Sequence, residues 1–221
     1  MHYDYYNIIK EQYLKSKSGI MRFGSIGDGG YYLSPSSIIE SDMLFSGGIS
    51  SNIEFEFDFY RLNPNASLLM VDPTVSKSKL LLKGLARLFL KKSRKLSYLY
   101  NTLMFCDLLN QKRCKHLDIW LKQPEQIFGL IQKNFGEQST VLLKLDIEGN
   151  EYDFLEELLA HQSQIRAMVF EFHDLDVKHH LLLDFIEKTS KNFNLVYMEV
   201  NPSGGFVNSL PKCIELSFER K

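Results

Sequence analysis

Two short acidic stretches in this 221-residue chain hold the residue types that move protons or bind cations: Lys144-Leu-Asp146-Ile-Glu148-Gly149-Asn-Glu151 and Phe170-Glu171-Phe172-His173-Asp174. In the first, three carboxylates fall within six positions. Charges so close repel, and desolvating them costs free energy unless a cation or a hydrogen-bond donor stands nearby. Glu148 and Glu151 have a second explanation, because the stretch leads into a helix and a carboxylate at a helix N-terminus is stabilised by about 0.3–1 kcal/mol. Glu151 is read chiefly as such a cap. Asp146 is different, since it ends a strand and so faces the crevice where an open α/β sheet binds its ligands. In the second stretch, strand alternation sends Glu171 and His173 to one side and Phe170 and Phe172 to the other. An imidazole beside a carboxylate is a candidate general base, its ordinary pKa of about 6.5 lying close to working pH. Asp146, Glu171 and His173 together also suit a divalent cation, while a histidine merely hydrogen-bonded at a sheet edge is the structural alternative.

The elements that must position these groups are legible as short apolar runs: Met43 to Phe45, Leu68 to Val71, Val141 to Leu145, Ala167 to Phe172, Leu195 to Val200 and Ile214 to Phe218. Continuous apolar character in Val141-Leu-Leu-Lys-Leu145 points to strands covered on both faces, as in a parallel sheet between helices. Helical spacing recurs between them, over Glu125 to Asn134 and over Glu151 to Ala160. The β-α-β-α order predicts a doubly wound α/β sheet. The last two runs are joined by a loop alone, which predicts a hairpin and an antiparallel edge. Apolar residues from Tyr5 to Lys17 predict an N-terminal helix, within about residues 1–18. Four glycines in the seven positions from Gly24 to Gly30 predict a functional loop rather than a regular element.

After the first of these core strands comes Phe45-Ser46-Gly47-Gly48-Ile-Ser-Ser, whose glycines let backbone approach a nucleotide-like ligand. The next strand ends in Val71-Asp72-Pro73, where a carboxylate commonly holds a ribose diol. Either feature alone is also a plain turn. No GxxxxGK[ST] and no GxGxxG follows a strand, which argues against a kinase or a dinucleotide oxidoreductase.

With 44% apolar and 24% charged residues and a net charge of -1, the composition is that of a folded globular protein, read as one domain over residues 1–221. No apolar run approaches the roughly 18 residues that span a bilayer. The acidic, aromatic N-terminus is unlike a signal peptide. Cys106, Cys114 and Cys213 are unpaired in spacing and read as reduced thiols, so a cytoplasmic location is expected.

These residues resemble the FkbM-type methyltransferases. The likeness rests on Lys144-Leu-Asp-Ile-Glu-Gly-Asn-Glu151 and Val169-Phe-Glu-Phe-His173. It extends to Arg22-Phe-Gly…Asp28-Gly29-Gly-Tyr31, Ser46-Gly-Gly-Ile-Ser50, Phe55-Glu56 and the closing Leu210-Pro…Ile214-Glu-Leu-Ser-Phe218. The resemblance implies a Rossmann-like fold of the class I methyltransferase type, with S-adenosylmethionine as donor. It further implies O-methylation of a saccharide hydroxyl on a glycan or glycolipid. Carried over position by position, Ser46, Gly47, Gly48 and Asp72 fall to the cofactor with Asp28 and Gly29 near it, and Asp146, Glu171 and His173 fall to the reaction centre. His173 is then the base, helped by Asp146, and the use of a divalent metal stays open. Two departures stand out. Phe45-Ser46 occupies the place of the acidic residue of the first methyltransferase motif, and Tyr197-Met-Glu199-Val-Asn201-Pro202 stands where the subgroup has His-x-His-x-Asn-Asn. A catalytically silent binding module of the same fold, or a metal-dependent hydrolase, are the competing readings.

One further stretch, residues 77–95 within an insert of about 76–98, carries Lys77, Lys79, Lys83, Arg87, Lys91, Lys92, Arg94 and Lys95 without an acidic residue, interleaved with leucines. That pattern predicts a basic amphipathic helix, which could rest on the inner face of an anionic membrane near lipid-linked acceptors or simply cover the core. Without a reading motif, a nucleic-acid partner is not expected.

Overall fold

The computed structural model describes residues 4–15, 18–26, 29–76, 79 and 95–221, with the backbone alone for 95–98. Asp28 and nearly all of the basic stretch lie outside the described residues.

At the centre are strands β3 (Met43–Gly47) and β6 (Val141–Leu145), every residue of which is buried. They pair in parallel, Ser46 opposite Lys144 and Gly47 opposite Leu145. Outward from β3 follow β4 (Ser67–Val71) and β5 (Cys114–Leu117), both parallel to their neighbours. Outward from β6 follow β7 (Ile165–Phe172), also parallel, then β11 (Ile214–Arg220) and β8 (Phe193–Val200). The seven-stranded order is therefore β5-β4-β3-β6-β7-β11-β8, with β11 antiparallel to both neighbours. This is the expected doubly wound, Rossmann-like α/β arrangement, and the direction of winding reverses between β3 and β6. The expected hairpin of the last two core strands is present, but β11 lies inside the sheet and β8 forms its edge. Loop length alone could not reveal that, because it says which strand β11 meets on one side only.

Side chains alternate along each strand and so divide the core in two. On one face, Phe45, Leu143, Leu145, Phe170 and Leu216 pack with helices α5 (Gln126–Phe135), α6 (Leu155–Ala160) and α7 (Leu175–Thr189). On the other, Leu44, Met70, Leu142 and Val169 pack with α3 (Glu54–Leu62) and α4 (Lys95–Leu109) through Phe55, Phe59, Met104 and Phe105. Burying strands on both faces explains the unbroken apolar runs. The N-terminal helix is shorter than its periodicity predicts: α1 (Tyr5–Ile8) runs into a π turn over Ile9–Tyr13, and Leu14 then bridges to Leu195. The short α2 (Pro35–Ile39) adds Ile38 to the second face.

The glycine-rich segment is not a loop throughout. It forms an antiparallel pair, β1 (Met21–Gly24) with β2 (Gly30–Leu33), lying over the second face beside α3. Glycine is required where the chain turns: at Gly24, with φ +88°, a Cβ would stand 2.5 Å from the Gly29 carbonyl oxygen. Dense glycine here marks two strands pressed against each other at a turn. A second small hairpin, β9 (Phe206–Val207) with β10 (Leu210–Pro211), turns at Asn208 and Ser209, both at positive φ. No described helix is long and apolar enough to cross a membrane.

Candidate functional site

The carboxyl ends of β3, β4, β6 and β7 share one edge, and the backbone there is held in unusual conformations. Ser50 after β3, Glu148 after β6 and Asp174 after β7 all have left-handed φ values of 48–56°. Non-glycine residues adopt that region at a cost of about 1–3 kcal/mol each, and such strain gathers at functional edges. Directly beyond β3, Gly48 donates its N–H to the Val71 carbonyl at 3.0 Å, while Asp146 N–H donates to the Gly47 carbonyl at 3.0 Å. The turn is thus wedged between β4 and β6. A Cβ on Gly48 would fall 1.6 Å from the Asp146 carbonyl oxygen, so no other residue fits.

Beneath this turn lies a buried polar layer that apolar patterning conceals. Lys144 and Glu56, 2% and 0% exposed, form an ion pair at 3.3 Å. The Lys144 ammonium also donates to the Gly48 carbonyl at 2.7 Å, and Ser46 Oγ donates to Glu56 Oε1 at 2.5 Å. Ser46 therefore turns its hydroxyl inward and contributes only its backbone to the edge. Asp72 stands where a ribose-holding carboxylate is expected, with its oxygens engaged: Oδ2 accepts from Ser50 N–H at 2.7 Å, and Oδ1 from Thr74 N–H at 2.7 Å and Thr74 Oγ at 2.6 Å. Its carboxylate ties the β3 turn to the end of β4. Gly29 lies against Asn52 of the loop that follows β3, so the β1–β2 turn reaches the same edge.

Glu171 and His173 come together as their spacing suggests, with Asp146 within electrostatic reach, but among the described residues the three do not gather their ligand atoms as a shared cation site requires, and Cys213 stands in that group where Asp146 was expected. Glu151 joins them and does more than cap. Fully buried, it accepts N–H groups from Ile147 at 2.9 Å and Gly149 at 3.1–3.2 Å, folding the loop after β6 around one carboxylate. Its Oε1 also meets His173 Nδ1 at 3.1 Å. The other ring nitrogen, Nε2, lies 3.4 Å from Glu171 Oε1 and 3.7 Å from the exposed Glu148. Glu171 Oε1 is a hub: Asn201 Nδ2 donates to it at 2.8 Å and the Cys213 thiol at 3.1 Å.

The electrostatics follow from this crowding. Burial opposes charge on His173, but the hydrogen bonds to Glu151 and Glu171 outweigh it and raise the pKa to about 11. Burial likewise pushes Glu171 upward, yet hydrogen bonds from His173, Cys213 and Asn201 win and hold its pKa below the usual carboxylate value. Asp146 lacks such donors: burial dominates, the Lys144 charge only partly offsets it, and nearby Glu171 and Glu151 add repulsion, so its pKa rises to about 7. Glu215, which pairs across the ladder with Glu171 and Glu199, is pushed up to about 8 by burial and by Glu171. His173 is thus held as a cation between Glu151 and Glu171, while burial makes Asp146 a carboxyl group that protonates more readily than usual.

Glu151, Lys144, Asn201 and Cys213 were not singled out by sequence as members of this site. For Glu151 the signal was present in its position, three residues after Glu148; Cys213 lies 42 residues from Glu171 and has no local signature.

Residues 114–208 match the family described as the methyltransferase FkbM domain. No curated protein matches the chain in sequence. Among solved structures, the O-methyltransferase TomG from Streptomyces achromogenes, in complex with SAM, aligns at 10% identity and TM-score 0.44, covering 84% of this chain and 76% of that one. The Methanococcus jannaschii fibrillarin pre-rRNA processing protein aligns at 9% identity and TM-score 0.43, covering 93% and 84%. The precorrin-6y C5,15-methyltransferase from Geobacter metallireducens aligns at 9% identity and TM-score 0.43, covering 85% of each chain.

Proposed function

Starting from the match of residues 114–208 to the methyltransferase FkbM domain, we propose that the chain is an S-adenosylmethionine-dependent O-methyltransferase that modifies a sugar hydroxyl of a glycan or glycolipid. The observation that carries this reading is the convergence, at the β3/β6 reversal, of the Gly47-Gly48 turn, Asp72 and the Asp146–His173 cluster. Ligands of open α/β sheets bind at such a reversal.

The turn and Asp72 fit a nucleoside. The Gly47-Gly48 backbone has no side chain to obstruct close approach, and Asp72 can exchange its bond to the Thr74 hydroxyl for one to a ribose hydroxyl while keeping Ser50 in place. The cofactor, when bound, supplies a methyl group already activated on a sulfonium. The protein then has to align the acceptor oxygen and take its proton, which contributes about 10²–10⁴ in rate when a well-placed base does it. Asp146 is suited to that role, being kept from full ionisation by burial and therefore basic near neutral pH. His173, locked by Glu151, offers Nε2 as a donor to the acceptor oxygen. The carboxylates of Glu148 and Glu199, half-exposed or more, suit an acceptor rich in hydroxyls.

One observation favours a second reading, a binding module without turnover: both oxygens of Asp72 are already used within the chain. A single experiment separates the two. Calorimetry with S-adenosylmethionine, followed by transfer of labelled methyl to a panel of saccharides, should give binding that Asp72→Ala weakens at least tenfold, and transfer that requires Asp146. Binding without transfer favours the module, and no binding at millimolar cofactor rejects both.

A further inference from the structure

We propose that Glu171, His173 and Cys213 form a binding site for a zinc-class divalent ion at the carboxyl end of β7. Their three potential ligand atoms, a carboxylate oxygen, Nε2 and Sγ, lie within 4.8 Å of one another. Two edges of this triangle can be compared with a tetrahedral zinc centre. Bond lengths of about 2.0–2.3 Å require an N···O edge of about 3.4 Å and an S···O edge of about 3.6 Å. The measured separations are 3.4 Å for His173 Nε2 to Glu171 Oε1 and 3.1 Å for Cys213 Sγ to the same oxygen. On these two edges the adjustment is a withdrawal of the thiol by about half an ångström.

A second, independent feature points the same way. Metal-binding histidines almost always donate their remote ring N–H to a carboxylate, a backbone carbonyl or water, which fixes the tautomer and frees the other nitrogen for the ion. His173 is held in this manner: Nδ1 bonds Glu151 Oε1 at 3.1 Å, and Glu151 is itself anchored by Ile147 and Gly149 N–H groups, so Nε2 is aimed at Glu171 and Cys213. Asn201 Nδ2, 2.8 Å from Glu171 Oε1, fixes that carboxylate from the other side. The exposed carboxylate of Glu148 adds negative charge 3.7 Å from His173 Nε2.

The donor set selects the ion. A thiolate with an imidazole and one carboxylate is too soft and too small in number for magnesium or calcium, and suits zinc or cobalt. Binding replaces two protons, the thiol S–H and the proton on Nε2, and the thiolate and carboxylate then balance the charge of the ion. The His173 side chain is 18% exposed while Glu171 and Cys213 are buried, so the cluster is reached from the side of the imidazole. Three protein ligands and one open position are the pattern of a reactive rather than a structural zinc centre. With the ion bound, Nε2 no longer donates to the acceptor, and an acceptor hydroxyl on the ion would instead lose its proton more readily, a role that rests on the methyltransferase reading, whereas the metal site does not.

The test uses the full chain, stripped with chelator and titrated with Co²⁺ under reducing, anaerobic conditions. Expected are one equivalent bound with micromolar affinity or better, a near-ultraviolet thiolate-to-cobalt band, and displacement by Zn²⁺ but not by millimolar Mg²⁺. Cys213→Ser should abolish the band, and His173→Gln, at a half-buried position, should weaken binding at least tenfold. Glu151→Gln should keep the band while reducing affinity about 10–100-fold. No band, or a band unchanged in Cys213→Ser and so arising from Cys106 or Cys114, overturns the proposal. Cobalt binding without methyl transfer would count against the methyltransferase reading alone, and cofactor binding without the cobalt band against the metal site alone.

Discussion

At the amino edge of the sheet, Asp42 accepts hydrogen bonds from Ser139 N–H, Ser139 Oγ and Thr140 N–H, and Asn63 donates to the carbonyls of Ile38 and Ser41. At the carboxyl edge, Asp146, Glu151, Glu171 and Glu215 crowd around His173 and Cys213. A cleft of about 830 Å³ lined by Asp42, Asn65, Glu137 and their neighbours lies at the amino edge. Polar groups at the amino edge are spent on closing loops, three donors meeting one Asp42 carboxylate, and Asp42 accordingly has its pKa lowered by its hydrogen bonds from Ser139 and Thr140. At the carboxyl edge there are more acceptors than donors, so protons are shared and pKa values are driven apart. An edge that leaves charge to be completed by a ligand is the one that can do chemistry.

The contrast can be broken most severely at Asp146. Asp146→Asn keeps the shape and removes the proton acceptor, so methyl transfer should fall about 10²–10⁴-fold with cofactor affinity within a few-fold; an unchanged rate would return the base to His173. Next in size is the buried layer that supports the edge. Lys144→Met strands Glu56 without a partner and should cost about 3–5 kcal/mol in chemical denaturation, and adding Glu56→Gln should restore part of it. Equal loss in the single and double variants would show that the pair acts through packing alone. The smallest effect belongs to the amino edge. Asp42→Asn should cost about 1 kcal/mol or less. Because the folded pKa of Asp42 lies below its unfolded value, this contribution is full above the ordinary carboxylate range and disappears as pH falls through the folded value. The melting temperatures of wild type and D42N should therefore converge in acid, and a constant gap down to low pH would contradict the assignment.

What could be read without coordinates follows from how the strands are buried. Runs such as Leu68 to Val71 and Val141 to Leu145 are apolar because both faces of a central parallel strand are covered, so their existence and rough bounds were legible. β5, Cys-Lys-His-Leu, gave no such signal, since it pairs with β4 on one side only and tolerates Lys115 and His116. The β1–β2 hairpin was hidden by its glycines, which report on the turn and say nothing of the strands beside it.

Residue order by itself determined the fold class and brought Asp146, Glu171 and His173 into one group, because strand ends and period-two alternation are local properties that survive any packing. Only the tertiary structure decided which of them carries a proton. That depends on Lys144 reaching Gly48, on Glu151 folding back onto His173, and on Cys213 arriving beside Glu171 through the antiparallel return of β11. Those contacts join residues up to 96 positions apart, and electrostatic energy depends on distance and burial in space, which order along a chain does not specify.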